Sequence, residues 1–438
     1  MSGPLPARFR SGVRSVVAGQ PGSGAMTPAI LPGLTPLRGI AALHVFWLHY
    51  STQVFPSTGG GDLLLVTNGR LAVELFFMLS GIVLAHAYFA RFAGGVDRAD
   101  WLDFMVNRLA RIWPLAAAMA VLSLCLFVAT TFWAEGWSDP FSLIPITGRL
   151  SWAELLSLVT LTSGFLENVR WNYPQWSITA EMIGYLLAPF AIAAVAQIER
   201  RHLWWIAALG LLPHLVLDLS SQAFRMAPDN VLHLALFDGS IAIGGPAGGI
   251  LRIHSGIGIA ARSIGLMVTG VALYRLWRCG SLEFLQHSLH LPAALIVLAA
   301  TLMLPRPDTL ILLAMLWAIA AAMVAPGRVA SLLNARPLVW LGDISFSIYL
   351  LHAPLQLAVK NMAAAMGVRL HTLDSMLALA LLLASTVVVI GLSHLTWRWI
   401  EIPARRGLRS TWQQYRSRSA ASPRLSLVPD HRNPFHGV

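Results

Sequence analysis

Apolar runs as long as a bilayer is thick constrain this chain more than any other feature. About ten are present, at residues 37–55, 70–90, 112–133, 177–198, 203–219, 258–276, 287–304, 308–325, 344–364 and 374–399. Within hydrocarbon, a segment must satisfy its own backbone N–H and C=O groups, so runs of this length fold as helices. The composition agrees: of 438 residues, 56% are hydrophobic and 12% charged, about half the charged fraction of a soluble domain. The expected fold is all-α, a polytopic transmembrane helical bundle spanning 34–405.

A net charge of +11 would suit a nucleic-acid binder, but its placement argues otherwise. The arginines lie in the tails and in short loops between apolar runs. Arg91, Arg98, Arg108 and Arg111 follow the second run, Arg200 and Arg201 the fourth, Arg275 and Arg278 the sixth, Arg328 and Arg336 the eighth. That is the positive-inside pattern, with anionic membrane lipid as the counter-ion and no nucleic-acid partner. It puts both termini in the cytoplasm. Residues 1–33 and 406–438, rich in Arg, Ser, Pro and Gly, are expected to be disordered cytoplasmic tails. Cys125 and Cys279 fall within or beside apolar runs and suggest neither a disulfide framework nor a metal site.

Two segments break the pattern. Residues 152–166 are apolar but short, and a span there would move Arg200 and Arg201 outside; a re-entrant or interfacial helix is expected. Residues 231–251 carry Gly239, Gly244, Gly245, Gly248 and Gly249, which suits backbone lining a cavity.

Ionisable groups on apolar helices mark candidate chemistry. In LRGIAALHVFWLHY, residues 37–50, Arg38 and His49 are eleven apart. That is about three turns, so they share a face with a rise of about 16 Å. Anchoring at the two lipid interfaces accounts for this spacing equally well. Glu74, in the next run, could pair with His49 across a short loop, or could simply meet headgroups. Arg108 and Arg111, in RLARIWP, share a face and make a phosphate clamp, although anchoring explains them too; Pro114 suits a first helical turn. In WNYPQWSITAEMIGYLLAP, residues 171–189, Glu181 and Tyr185 are one turn apart behind Trp176 and Ser177. That set resembles a hydroxyl-binding wall, with an aromatic belt as the plain alternative. Ser345, Tyr349 and His352 line one face of the ninth run, where a polar seam between helices is the simpler explanation. HLTWRWIEIPARR, residues 394–406, reads as a helix end at the cytoplasmic surface.

In order and spacing, these segments resemble the acyltransferase-3 family of integral-membrane O-acyltransferases. ARSIGLMVTGVALY, residues 261–274, is a weaker match. There are departures: Met182 follows Glu181 where a second acidic residue is common, an aromatic near Gly184 is missing, and Glu74 stands where Asp is frequent. The resemblance implies transfer of a short acyl group, acetyl above all, from acyl-CoA to a hydroxyl of a surface carbohydrate at a bacterial inner membrane, with no metal. On that basis Arg38, Arg108 and Arg111 are expected to hold coenzyme A phosphates. His49 is expected to act as general base, oriented by Glu74 or Glu181. Trp176, Ser177, Tyr185 and His352 are expected to meet the acceptor. A transporter or flippase of a lipid-linked sugar or small solute is the alternative; the chain lacks the internal repeat such proteins often show.

Overall fold

Asp97 begins one of the longest helices. Its Oδ1 accepts the backbone N–H of Asp100 at 2.8 Å, capping a helix that runs from Arg98 to Glu135. The computed structural model describes residue 31 and residues 33–135, 152–165, 172–216, 232–236, 239–243, 256–304 and 308–421. These belong to one unit, Leu31–Val438. In chain order its helices are α1 Leu34–Gln53, α2 Leu64–Thr67, α3 Ala72–Phe92, α4 Arg98–Glu135, α5 Trp152–Val159, α6 Trp176–Ala196, α7 Leu203–Gly210 and α8 Gly256–Arg278. They continue as α9 His290–Leu302, α10 Asp308–Met323, α11 Gly327–Leu333, α12 Arg336–Asp343, α13 Ser345–Ala365, α14 Ser375–Thr396 and α15 Ile402–Ala421. An antiparallel hairpin, Leu232–Leu236 with Gly239–Ile243, occupies the glycine-rich segment expected to line a cavity.

The bundle is built around α3. Of the apolar part of Leu64–Phe92, 67% is buried, against 17% in Ser375–Arg418. So α3 is central, and α14 turns most of its surface outward. Glycine lets α3 and α8 touch backbone to backbone: a Cβ added at Gly270 would meet the Met78 carbonyl and come within 2.9 Å of the Ile82 nitrogen. Gly81, on the facing turn, is equally crowded by the Met267 carbonyl. Small residues at such crossings let membrane helices approach closely without polar cost.

Among the described residues, four helices are long and apolar enough to cross a membrane, or six if each of two bent pairs is one span. Of the other expected runs, those at 37–55 and 258–276 form the long helices α1 and α8, which are less apolar, and the rest are shorter or broken. The run at 203–219 forms the eight-residue α7 and, after a break at Leu211, further helix at 212–216, with 217–219 outside the described residues, and 287–304 yields the thirteen-residue α9. The run at 308–325 ends in α10, which meets α11 at 110°. Hydropathy counts apolar residues, but a helix needs about 20 to cross, and Pro326 or the turn at 304 stops the run first. Residues 152–166 hold the eight-residue α5, too short to cross.

Two boundaries differ from the sequence reading. Pro114 lies inside α4 rather than in its first turn, because the Asp97 cap starts the helix well upstream. The segment expected as a disordered tail from 406 continues as helix to Ala421. Tertiary contacts order it: Trp412 Nε1 donates to Asp103 at 2.7 Å, and Arg416 pairs with the same carboxylate. Arg91 reaches Asp103 as well, at 2.7 Å. The tail 1–30 and residues 422–438 lie outside the described residues.

Candidate active site

Arg38 and His49 occupy one face of α1, as their spacing requires. The start of α1 is pressed onto α12, where a Cβ on Gly39 would come within 2.8 Å of the Gly342 nitrogen. Arg38 is thereby set into a helix interface rather than at a lipid surface. It lines a narrow cavity of about 40 Å³ between α1, α3, α6 and α13.

Two polar stripes face that cavity. On α6, Ser177, Glu181 and Tyr185 recur every four residues. On α13, Ser345, Tyr349 and His352 do so at intervals of four and three. The stripes meet where Ser177 Oγ and Tyr349 Oη lie 2.7 Å apart, each within reach of the Pro174 carbonyl, at 2.9 and 3.2 Å. Glu181 accepts from Ser80 Oγ at 3.0 Å and from the Tyr185 hydroxyl. It also lies in the electrostatic field of Arg38.

Beyond Tyr349 stand two imidazoles. The His49 and His352 rings are 5.3 Å apart and 16° from parallel. Tyr173 presents an edge to both, at 4.8 and 5.8 Å. His352 is fully buried, and its Nδ1 donates to the Tyr349 carbonyl at 2.6 Å. A carbonyl only accepts, so the proton of the neutral ring sits on Nδ1. That leaves Nε2 as a bare lone pair, buried with no hydrogen-bond partner.

His49 has an amide neighbour one turn along its own helix. The amide Nε2 of Gln53 lies 3.1 Å from its Nδ1. Glu74 is fully buried elsewhere, paired with Arg262 and 3.0 Å from His214 Nε2. The helix face explains this. Glu74 and Gly81 are seven residues apart, two turns on one face, and that face is the one packed on α8, which carries Arg262. Glu181 is held by Ser80, Tyr185 and Arg38. Glu74 therefore departs from the expected pairing with His49, because both of its oxygens are taken up by Arg262 and His214.

The arginines gather at the other end of the cavity. Arg108 is buried, donates to Tyr88 Oη at 3.1 Å, and lies over the rings of Tyr88, Phe104 and Tyr185 at 5.3, 5.7 and 5.9 Å. Arg38 interacts electrostatically with Arg111, Glu181 and Glu401. The C-terminal helix adds two more: Arg405 faces Arg111, Glu401 and Arg108, and Arg409 faces Arg108, Arg405 and Arg111. Asp343 completes the set beside Arg38, Arg111 and Arg405. Positive charge exceeds negative here, and the Nε atoms of Arg108 and Arg409 are buried without a hydrogen-bond partner. Glu401, expected at a cytoplasmic helix end, is instead buried, with Ser347 Oγ 3.4 Å away. The π turn Trp397–Glu401 rotates it inward.

The acyltransferase-3 family model, described as an acyltransferase domain, matches residues 31–395. The chain belongs to this family. Acyltransferase MdmB of Streptomyces mycarofaciens is 35% identical over 183 residues, 41% of this chain and 43% of that protein. The putative peptidoglycan O-acetyltransferase YrhL of Bacillus subtilis (strain 168) is 24% identical over 414 residues, 87% of this chain and 56% of YrhL. Protein 2 in the picA locus of Rhizobium radiobacter is 33% identical over 158 residues, 34% of this chain and 76% of that protein. The chain thus spans about half the length of MdmB and YrhL. No solved structure matches it. Its matched segment is an enzyme domain of the transferase class, acting on groups other than aminoacyl. With its apolar helices, it makes the protein an integral membrane protein.

Within this acyltransferase-3 domain the expected site residues divide. Arg38, Glu181 and Ser177 line one cavity, and His49 stands against His352 beyond it. Arg108 and Tyr185 meet beside Glu181. Trp176 leaves the group, its ring 5.8 Å from the Arg262 guanidinium. The family departures also point away from the cavity. Met182 lines an outer groove with Leu109 and Trp113, and Gly184 packs on the side chain of Met267.

Sequence reasoning missed Gln53, Gln356, Glu401, Arg405 and Arg409. Gln53 lies four residues after His49, Gln356 four after His352, and Arg409 four after Arg405. Each spacing puts the pair on one helix face and could have flagged them. Nothing in the sequence singles out His214.

Proposed function

We propose that this protein is a membrane O-acyltransferase that moves a short acyl group, acetyl, from acyl-coenzyme A to a hydroxyl of a surface carbohydrate. The observation that carries the reading is adjacency. Arg38 and Tyr349 line one cavity; Arg38 interacts with Arg111 of the arginine cluster, and the Tyr349 ring lies 5.8 Å from that of His352, which stacks on His49.

Arg108, Arg111, Arg405 and Arg409 hold the donor phosphates. Guanidinium forks suit phosphate oxygens, and a cluster short of carboxylates gains most from an anion. Arg38 takes part from α1. The rise from Arg38 to His49, about 16 Å, suits an extended pantetheine arm that delivers the thioester beside His49. Burial of the two stripes keeps water from the path.

His49 acts as general base. It takes the proton of the acceptor hydroxyl as that oxygen bonds to the thioester carbonyl carbon. The C–S bond breaks, the ester forms, and the imidazolium returns the proton to the departing thiolate. Ser177, Tyr349 and the bare Nε2 of His352 meet the acceptor hydroxyls. Glu181 steers the Arg38 side chain, and Glu74 holds the α3–α8 crossing that places α3. The arginine-rich loops put the donor end, and both termini, at the cytoplasmic face of a bacterial inner membrane.

The test is single-turnover release of coenzyme A thiol from acetyl-CoA by purified protein in nanodiscs. Wild type is expected to release thiol, and His49→Ala to lose this while still binding the donor. No release and no donor binding by folded wild type would end the acyl-transfer reading.

A further inference from the structure

Resting on that reading, we propose that the buried Ser345 hydroxyl binds the outer amide of the donor's pantetheine arm, the amide nearer the phosphates. Ser345 opens α13 and is fully buried. It lines the cavity shared by Arg38, Ser177 and Tyr349, yet its Oγ has no hydrogen-bond partner. The other hydroxyls of this cavity are paired: Ser177 and Tyr349 with each other, Ser80 with Glu181. A polar seam that joined helices would pair Ser345 as well, so helix packing does not account for it. A buried hydroxyl without an acceptor is costly, and the cavity is the route by which an acceptor reaches this one.

The size of the cavity limits what that acceptor belongs to. Its volume is about 40 Å³, and a water-sized group needs about 10–15 Å³. It admits about three such groups, enough for the carbon, oxygen and nitrogen of one amide and too little for a sugar ring. The occupant is therefore a linear chain, which is the donor's arm rather than the carbohydrate. Phe76, Phe77 and Phe346 line the same cavity and give apolar wall to the methylene groups on either side of the amide.

Position along the helix selects which amide. Ser345 stands seven residues before His352, about 10 Å along α13. His352 stacks on His49, where the thioester is delivered. An extended chain advances about 1.2 Å per bond. The outer amide nitrogen is eight bonds from the thioester carbonyl carbon, or about 10 Å, and the inner one is four bonds away, or about 5 Å. Only the outer amide reaches Ser345. Its carbonyl oxygen accepts from Ser345 Oγ, which fixes how far the arm advances once the phosphates are seated on the arginines. The thioester carbon is then held level with the two imidazoles. Ser345 binds substrate and takes no part in the proton transfer.

The test is calorimetric titration of the full-length protein in nanodiscs with three ligands. One is coenzyme A. The second is its adenosine fragment, which carries the ribose phosphate and a terminal phosphate but no pantetheine. The third is a coenzyme A analogue with an alkane link in place of the outer amide. Ser345→Ala is expected to bind coenzyme A about 3- to 15-fold more weakly than wild type does, and the adenosine fragment equally well. The analogue is expected to bind wild type about as weakly as coenzyme A binds Ser345→Ala, and to lose nothing further in the variant. Coenzyme A bound equally tightly by both proteins would overturn the assignment and leave acyl transfer standing. So would a loss shared equally by the adenosine fragment, the mark of a role in packing alone, or an analogue that still loses affinity in the variant. Folded wild type that binds no coenzyme A would overturn both readings.

Discussion

The imidazole rings of His49 and His352 lie 5.3 Å apart and nearly parallel. Two positive charges at that separation repel by about 3 kcal/mol at an effective dielectric of about 20. That repulsion disfavours charging both rings at once, which suits a base with a neutral partner beside it. His49→Ala is expected to reduce single-turnover thiol release by about 100- to 10,000-fold. His352→Gln, which keeps a polar group, should lower kcat less and leave donor KM unchanged. Equal loss in both variants would mean that His352, not His49 alone, handles the proton.

The C-terminal helix should matter for donor affinity rather than chemistry. Arg405 and Arg409 stand with Arg108 and Arg111. Alanine at both is expected to raise KM for acetyl-CoA about 10- to 100-fold, the worth of one or two charge-assisted hydrogen bonds, with kcat little changed. The same variant should discriminate less between acetyl-CoA and its dephospho form. Steady-state kinetics with both donors reads the result; a fall in kcat alone would contradict it.

Asp103 holds that helix in place through Trp412 and Arg416. Asp103→Ala is expected to release residues 402–421. Hydrogen exchange there should quicken, and donor KM should rise as it does for the Arg405/Arg409 pair. Unchanged exchange would show that apolar packing alone orders the helix.

Glu74 is a fully buried partner of Arg262 and His214. Glu74→Ala takes a close carboxylate from a buried guanidinium and should cost about 3–5 kcal/mol, less whatever Asp308, which also acts on Arg262, makes up. Adding Arg262→Leu should recover much of that loss, because the buried guanidinium that lost this carboxylate is then gone. Thermal unfolding in detergent reads both variants. If Glu74→Ala melts like wild type yet loses turnover, Glu74 belongs to the chemistry instead.

Much of the fold was legible. The apolar runs at 70–90, 177–198, 344–364 and 374–399 became α3, α6, α13 and α14 within a few residues, because a bilayer-length apolar run has one way to satisfy its backbone. The shared faces of Arg38 with His49, and of Ser345 with Tyr349 and His352, follow from helix periodicity alone.

What the sequence determined is the content of each helix face: which residues lie one, two or three turns apart, and that ionisable groups ride on apolar helices. Which faces meet was decided only in three dimensions. Glu74 looked like the partner of His49 because consecutive helices tend to be neighbours, yet the Gly81–Gly270 crossing turns its face to α8 and Arg262. Arg405 looked like a helix end and Arg409 like a solvated tail until Asp103 drew their helix onto α4. Periodicity fixes contacts within a helix, because they follow from its geometry. Contacts between helices depend on how glycine crossings and buried charge pairs rotate each helix about its axis, and no single segment encodes that.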